Sequence, residues 1–215
     1  EAARGMEDFD EAMASSLSAV RLLQNEGFPM DEKRRKLSQA GAYLDIAQTA
    51  LAQEDGGKSK QAAEAALAIY QGLDEKLHMG KAYEQIAEAH GLNGDRADAV
   101  ASINAAIELF ADVEAMAALS SGFARLADLQ MNDRNWEAGE QAVLAAVTAA
   151  PKDGASMEFD GAMLALVRLV KAKPQRREIL VHRVAEVAEM DAGVVSQKLV
   201  EFEKLAEMGG VLIDA

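Results

Sequence analysis

The chain has no cysteine, three histidines and a large excess of acidic over basic side chains. Thiol nucleophiles, disulfides and thiolate metal centres are therefore excluded from it. His78, His90 and His182 lie too far apart in sequence to form a compact ligand motif, and neither an HExxH segment nor a glycine-rich phosphate loop is present. Glu84 and Glu88 stand at i and i+4 and so share one face of a helix. Two carboxylates without further converging oxygens make a poor calcium site, which leaves an exposed acidic face as the simpler reading. His90 occupies a position filled by Ala50 and Gln130 in related segments, so it is expected to pack rather than to act as a base. No catalytic residue, metal or cofactor is expected, and the chain is not expected to be an enzyme.

Charge carries more information. The formal net charge is -14, which argues against generic binding to nucleic acid or to an anionic membrane surface. Against that background Arg168, Lys171, Lys173, Arg176, Arg177 and Arg183 crowd into one short stretch with a single acid, Glu178. This basic segment either steers an anionic partner to one end of the molecule or forms a solvated face, with Lys171 and Lys173 opposing a helix dipole ahead of Pro174. The ten methionines, among them Met13, Met116, Met131, Met157 and Met163, are either adaptable binding surface or core filler.

These side chains are positioned by a repeat. Ala42-Tyr43, Ala82-Tyr83, Gly122-Phe123 and Ala162-Met163 superimpose when 40 is added, without gaps through the first three copies. In those three, Ile46, Ile86 and Leu126 precede a small residue, Ala47, Ala87 and Ala127. Ser59, Ala99 and Gly139 follow in a second helix, and seven residues later come Ala66, Ala106 and Ala146. Small residues at such recurring positions let neighbouring helices approach closely. Asp55-Gly56-Gly57, Asn93-Gly94-Asp95 and Asn132-Asp133 supply turns between the helices, where Gly and Asn accept left-handed backbone and Asp can cap. In the fourth copy the small residues fail after Val167.

This pattern resembles the tetratricopeptide repeat, with Tyr83, Ile86-Ala87, Ala99 and Ala106 in the family's positions and Pro151 at its terminal proline. The resemblance spans about residues 37 to 173, although the usual repeat is about 34 residues long. It implies an all-α, right-handed solenoid of antiparallel helix pairs whose first helices line a concave surface. Carried across, the partner-facing positions are Leu44, Gln48 and Leu51, then Glu84 and Glu88, then Ala124, Arg125, Asp128 and Met131, then Leu164, Arg168 and Lys171. Such a groove runs from apolar through acidic to basic and suits a protein segment with apolar anchors. The family's clamp for chaperone C-termini would require Lys and Asn where this chain has Leu44, Gln48, Gln85 and Ser121, and only Arg125 matches. The implied role is a non-catalytic scaffold or adaptor for a protein or peptide; a ligand-sensing regulatory domain of a larger signalling protein is the other class to weigh.

Residues 1–30 read as the second helix of a partial repeat, with Phe9 in the position of Trp136, and the missing first helix suggests a longer native chain. Residues 31–173 form the repeats and 174–215 a C-terminal cap. In that cap Ile179, Leu180, Val184, Val187 and Ala188 face inward, and Asp191 caps a helix bearing Val195, Leu199, Phe202 and Leu205 that ends at Gly209-Gly210. Val211-Leu212-Ile213 then docks back, pairs with a second copy to give a homo-oligomer, or continues into further chain. Half of the residues are hydrophobic, yet no apolar run reaches the roughly 18 residues of a membrane span. Composition thus points to a soluble chain, compatible with either the bacterial cytoplasm or the periplasm.

Overall fold

The left-handed residues mark out the architecture. Glu54, Gly94 and Arg134 have positive φ, and so do Asp74 and Glu114. The first three are spaced by 40 residues and so are the last two, so the backbone turns the same way at the same point of each copy. The computed structural model describes residues 2–25, 27–151 and 156–208, and their side chains from residue 9 onward; ten α-helices lie among them, and these five turns separate the second to the seventh. The expected turn residues are only partly the observed ones. Gly56 and Gly57 lie inside a helix, and the left-handed position falls on Glu54 and Arg134, which pay roughly 1 kcal/mol for it; only Gly94 takes it freely.

Two compact units divide the chain, Glu1–Val113 and Glu114–Ala215. The first holds α1 (Ala2–Gln24), α2 (Glu32–Ala52), α3 (Gly56–Leu73), α4 (Lys76–Asn93) and α5 (Arg96–Asp112). Here α2 packs on α3, α4 on α5, α3 on α4 and α1 on α2. Asp31 caps α2 by accepting a hydrogen bond from the Arg34 amide at 3.0 Å, and Asp55 caps α3 by accepting one from Lys58 at 2.9 Å. The core of this unit is largely alanine: Ala40, Ala47, Ala63, Ala66 and Ala82 are wholly enclosed, with Tyr70, Ile46 and Ile86 filling the remaining space. At Gly56 a Cβ would lie 2.4 Å from Asn93 Oδ1, so the start of α3 and the end of α4 meet through a missing side chain.

The second unit holds α6 (Met116–Asn132), α7 (Trp136–Ala149), α8 (Met157–Ala172), a 3-10 turn (Pro174–Arg176), α9 (Arg177–Ala188) and α10 (Ala192–Met208). Its core is richer in large side chains, with Phe159, Met163, Leu166, Val167, Leu180, Val184, Val195 and Leu199 buried together. Leu166 and Val167 stand where the earlier copies have an aliphatic residue and an alanine, so the fourth copy keeps the burial with a larger side chain in place of the small one. Ser156 caps α8 and Asp191 turns the chain into α10 by accepting from the Gly193 amide at 2.8 Å. Two expected core positions are instead open: Ile179 is 54% and Leu205 53% exposed. Gly209-Gly210 and Val211-Leu212-Ile213 lie outside the described residues. Among those described, no helix is long and apolar enough to cross a membrane.

Candidate functional site

In each unit the first helices of successive pairs lie against one another, α2 with α4 and α6 with α8. In the first unit this places Leu44 and Leu51, both half-buried, and exposed Gln48 on α2, and half-buried Glu84 and Glu88 on α4. In the second it places half-buried Ala124, Arg125 and Asp128 on α6, and Leu164, Arg168 and Lys171 on α8. Leu164 is 42% exposed, a large apolar side chain among charged neighbours. Met131 is different. It is buried and lies over Gly139, whose absent Cβ would sit 2.8 Å from Met131 Cγ. Its side chain belongs to the core and not to the exposed row, because the last turn of α6 rolls it toward α7.

Asp128 and Arg168 join α6 to α8. Arg168 Nη1 lies 2.7 Å from Asp128 Oδ1, and Arg168 Nη2 donates to Asn132 Oδ1 at 3.4 Å. The side chain of Asp128 keeps 40% exposure, but its Oδ1 is enclosed and receives no well-aligned hydrogen bond. Burial therefore outweighs the pull of Arg168 and Arg125 and raises the Asp128 carboxyl above its ordinary 3.8. The folded state holds this proton to higher pH than the unfolded chain does. Its contribution to stability is full below the unfolded value and is lost as pH rises through the folded one. Urea midpoints measured from about pH 4 to about pH 7 should show the wild type losing ground relative to Asp128→Asn as pH rises. A wild type that instead gains on the variant would mean that the arginines dominate.

The basic segment is mostly consumed internally. Arg176 and Arg183 both pair with Glu140 on α7, Arg176 Nη1 at 2.7 Å from Oε2, and Glu140 is only 3% exposed. Arg177 pairs through both guanidinium nitrogens with Glu203 on α10, which raises its own pKa. Lys173 sits 5.0 Å from the ring centre of Trp136, a cation–π contact. Five of the six cations, all but Lys171, are thus ties between these helices and their neighbours. Glu140 went unnoticed in the sequence. An acid directly after the small residue Gly139, at a helix-packing turn, was the available signal.

The histidines do not converge. His78 stacks on Tyr70 with ring centres 5.0 Å apart, His182 Nδ1 lies 2.8 Å from the Glu178 carbonyl oxygen within its own helix, and His90 is 6% exposed beside Asp95.

No family model matches the chain, and no curated protein matches it in sequence. Solved structures do share its fold. BtubC (BKLC) from P. vanneervenii is 15% identical with a TM-score of 0.69, the match covering 94% of this chain and 84% of that one. The nearly identical TPR-like repeats of a putative kinesin light chain from Podosopora anserina are 15% identical with a TM-score of 0.54, covering 84% of this chain and 92% of that one. At such identity the likeness speaks of architecture alone: this is an all-α chain of sequentially packed helix pairs, an architecture it shares with TPR-like repeat proteins.

Proposed function

We propose that the chain is a non-catalytic interaction scaffold that holds an extended or helical segment of another protein along the first helices of its pairs. The observation that carries this reading is the packing of α6, which bears Arg125 and Asp128, on α8, which bears Arg168, Lys171 and a Leu164 that is 42% exposed. An exposed apolar side chain on a helix pair that also carries charges of both signs is the chemistry of a peptide groove: the apolar contact supplies affinity and the charges set orientation. The row on α2 and α4, with Leu44, Gln48, Leu51, Glu84 and Glu88, offers a more acidic counterpart in the other unit. The architecture shared with tetratricopeptide-like proteins supports the same class of role.

A photo-crosslinking side chain placed at Leu164 tests this, with the same group at exposed Glu137 on α7 as control. A partner protein should be trapped from Leu164 and not from Glu137. The Leu164→Asp/Lys171→Glu variant, which spares the Asp128 to Arg168 pair, should reduce its capture by roughly tenfold or more, as loss of one anchor does. Equal trapping from both positions, or capture unchanged in the variant, would refute the assignment of this face.

A further inference from the structure

The second helix pair carries a feature that its neighbours lack. His90 closes the last turn of α4, Asp95 opens α5, and Asp98 follows in the first turn of α5. One imidazole nitrogen and one carboxylate oxygen from each aspartate all lie within 4.8 Å of one another. We propose that these three residues bind a divalent transition-metal ion of the zinc class across the α4–α5 turn.

Distances support this. Zinc bonds to nitrogen and carboxylate oxygen at about 2.0–2.2 Å, so adjacent ligand atoms on a tetrahedron stand about 3.4 Å apart. His90 Nδ1 and Asp95 Oδ2 are 3.4 Å apart. That separation is at the long end for a hydrogen bond and also matches an edge of a coordination shell. The third ligand needs only a small swing of an exposed aspartate. His90 is 6% exposed, so its imidazole is held in place, while both carboxylates reach solvent and leave a further position open to water or to a partner's side chain. One nitrogen and two oxygens suit zinc or its neighbours better than calcium, which prefers an all-oxygen shell.

The other copies show what these positions do without a metal. In the first pair the set is Ala50, Asp55 and Lys58, and Asp55 is spent capping α3 through the Lys58 amide at 2.9 Å. In the third it is Gln130, Asn135 and Ala138, and Asn135 Nδ2 donates to Gln130 Oε1 at 2.9 Å, a neutral clasp over the turn. Asp95 makes no side-chain cap to α5 and turns its carboxylate toward His90, at the positions of the Asn135–Gln130 clasp. The competing account is that His90 and Asp95 are only a charged version of the Gln130–Asn135 clasp, and the experiment is built on that difference.

Tag-free protein is titrated calorimetrically with Zn2+, and separately with Co2+ while the imidazole resonances of the three histidines are followed by NMR. The expected result is one ion per chain, with paramagnetic shifts at His90 and none at His78 or His182. His90→Gln/Asp95→Asn installs the third copy's own clasp, preserving the turn while removing two ligands. It should weaken Zn2+ by more than about tenfold, and Asp98→Ala should weaken it too, with helicity unchanged in both. The site is overturned if no ion binds, if the clasp variant binds as the wild type does, or if Co2+ perturbs His78 or His182 instead.

Discussion

Replacing Arg176 and Arg183 together by Met should destabilise the second unit by about 3–5 kcal/mol, far more than replacing Glu140 by Met. The asymmetry follows from where the charges sit. Glu140 is 3% exposed, whereas the side chains of Arg176 and Arg183 keep 40% and 38% of their surface in water. Without its two partners the carboxylate is a buried, unpaired charge. Without Glu140 the guanidiniums remain partly hydrated and lose little. Replacing all three by Met removes both the pairing and the desolvation cost, so the triple variant should recover most of the loss, and exchange of a buried ion cluster for well-packed apolar groups is often neutral or better. Trp136 is the only tryptophan and lies on α7 four residues before Glu140, so its fluorescence reports this unit in a urea titration. A Glu140→Met variant as unstable as the double arginine variant would show that the carboxylate is not the costly member. The cluster also explains why α9 stays against α7 although Ile179 on α9 is 54% exposed.

The repeat register, read from small residues alone, predicted which backbones meet. Ala47, Ala87 and Ala127, then Ser59 and Ala99, then Ala66, Ala106 and Ala146, are all buried at the positions expected of them. A period of 40 constrains each helix face, because burial repeats with the backbone. It does not say which charged side chain reaches which, since long arginines span several residues and choose partners in space. Hence the stretch from Arg168 to Arg183 reads as one basic segment, while five of its six cations divide among Asp128, Glu140, Glu203 and the ring of Trp136. Met131 misled for a related reason: it stands on the first helix of its pair as the partner-facing positions do, but the space over Gly139 draws it inward. Glu54 and Arg134 in left-handed backbone were unreadable because their residue types do not favour it; the turn is imposed by the helices on either side.

Gly80→Ala should destabilise the first unit by about 1–3 kcal/mol even though alanine is the better helix former by about 1 kcal/mol. A Cβ at Gly80 would lie 2.4 Å from Phe110 Cε1, 2.8 Å from Cδ1 and 2.9 Å from Cζ, and Phe110 is wholly buried. An aromatic ring has no flexible end to move aside, so either α4 shifts from α5 or the ring leaves its rotamer. Gly41→Ala, inside α2, is the control. Nothing lies within 4 Å of a Cβ there, so the change should cost nothing or stabilise by up to about 1 kcal/mol. The third copy shows such an exchange of volume, with Ser120 in place of Gly80 and Ala150 in place of Phe110, whereas the first copy has Ala40 and Tyr70 at these positions. Phe110→Ala alone should cost about 3–5 kcal/mol by opening a cavity. In that background Gly80→Ala should cost nothing or stabilise, because its methyl enters space the ring has vacated. A double-mutant cycle by urea denaturation, followed by circular dichroism, measures this coupling directly. Equal cost of Gly80→Ala with and without the ring would mean that the glycine is there for some reason other than Phe110.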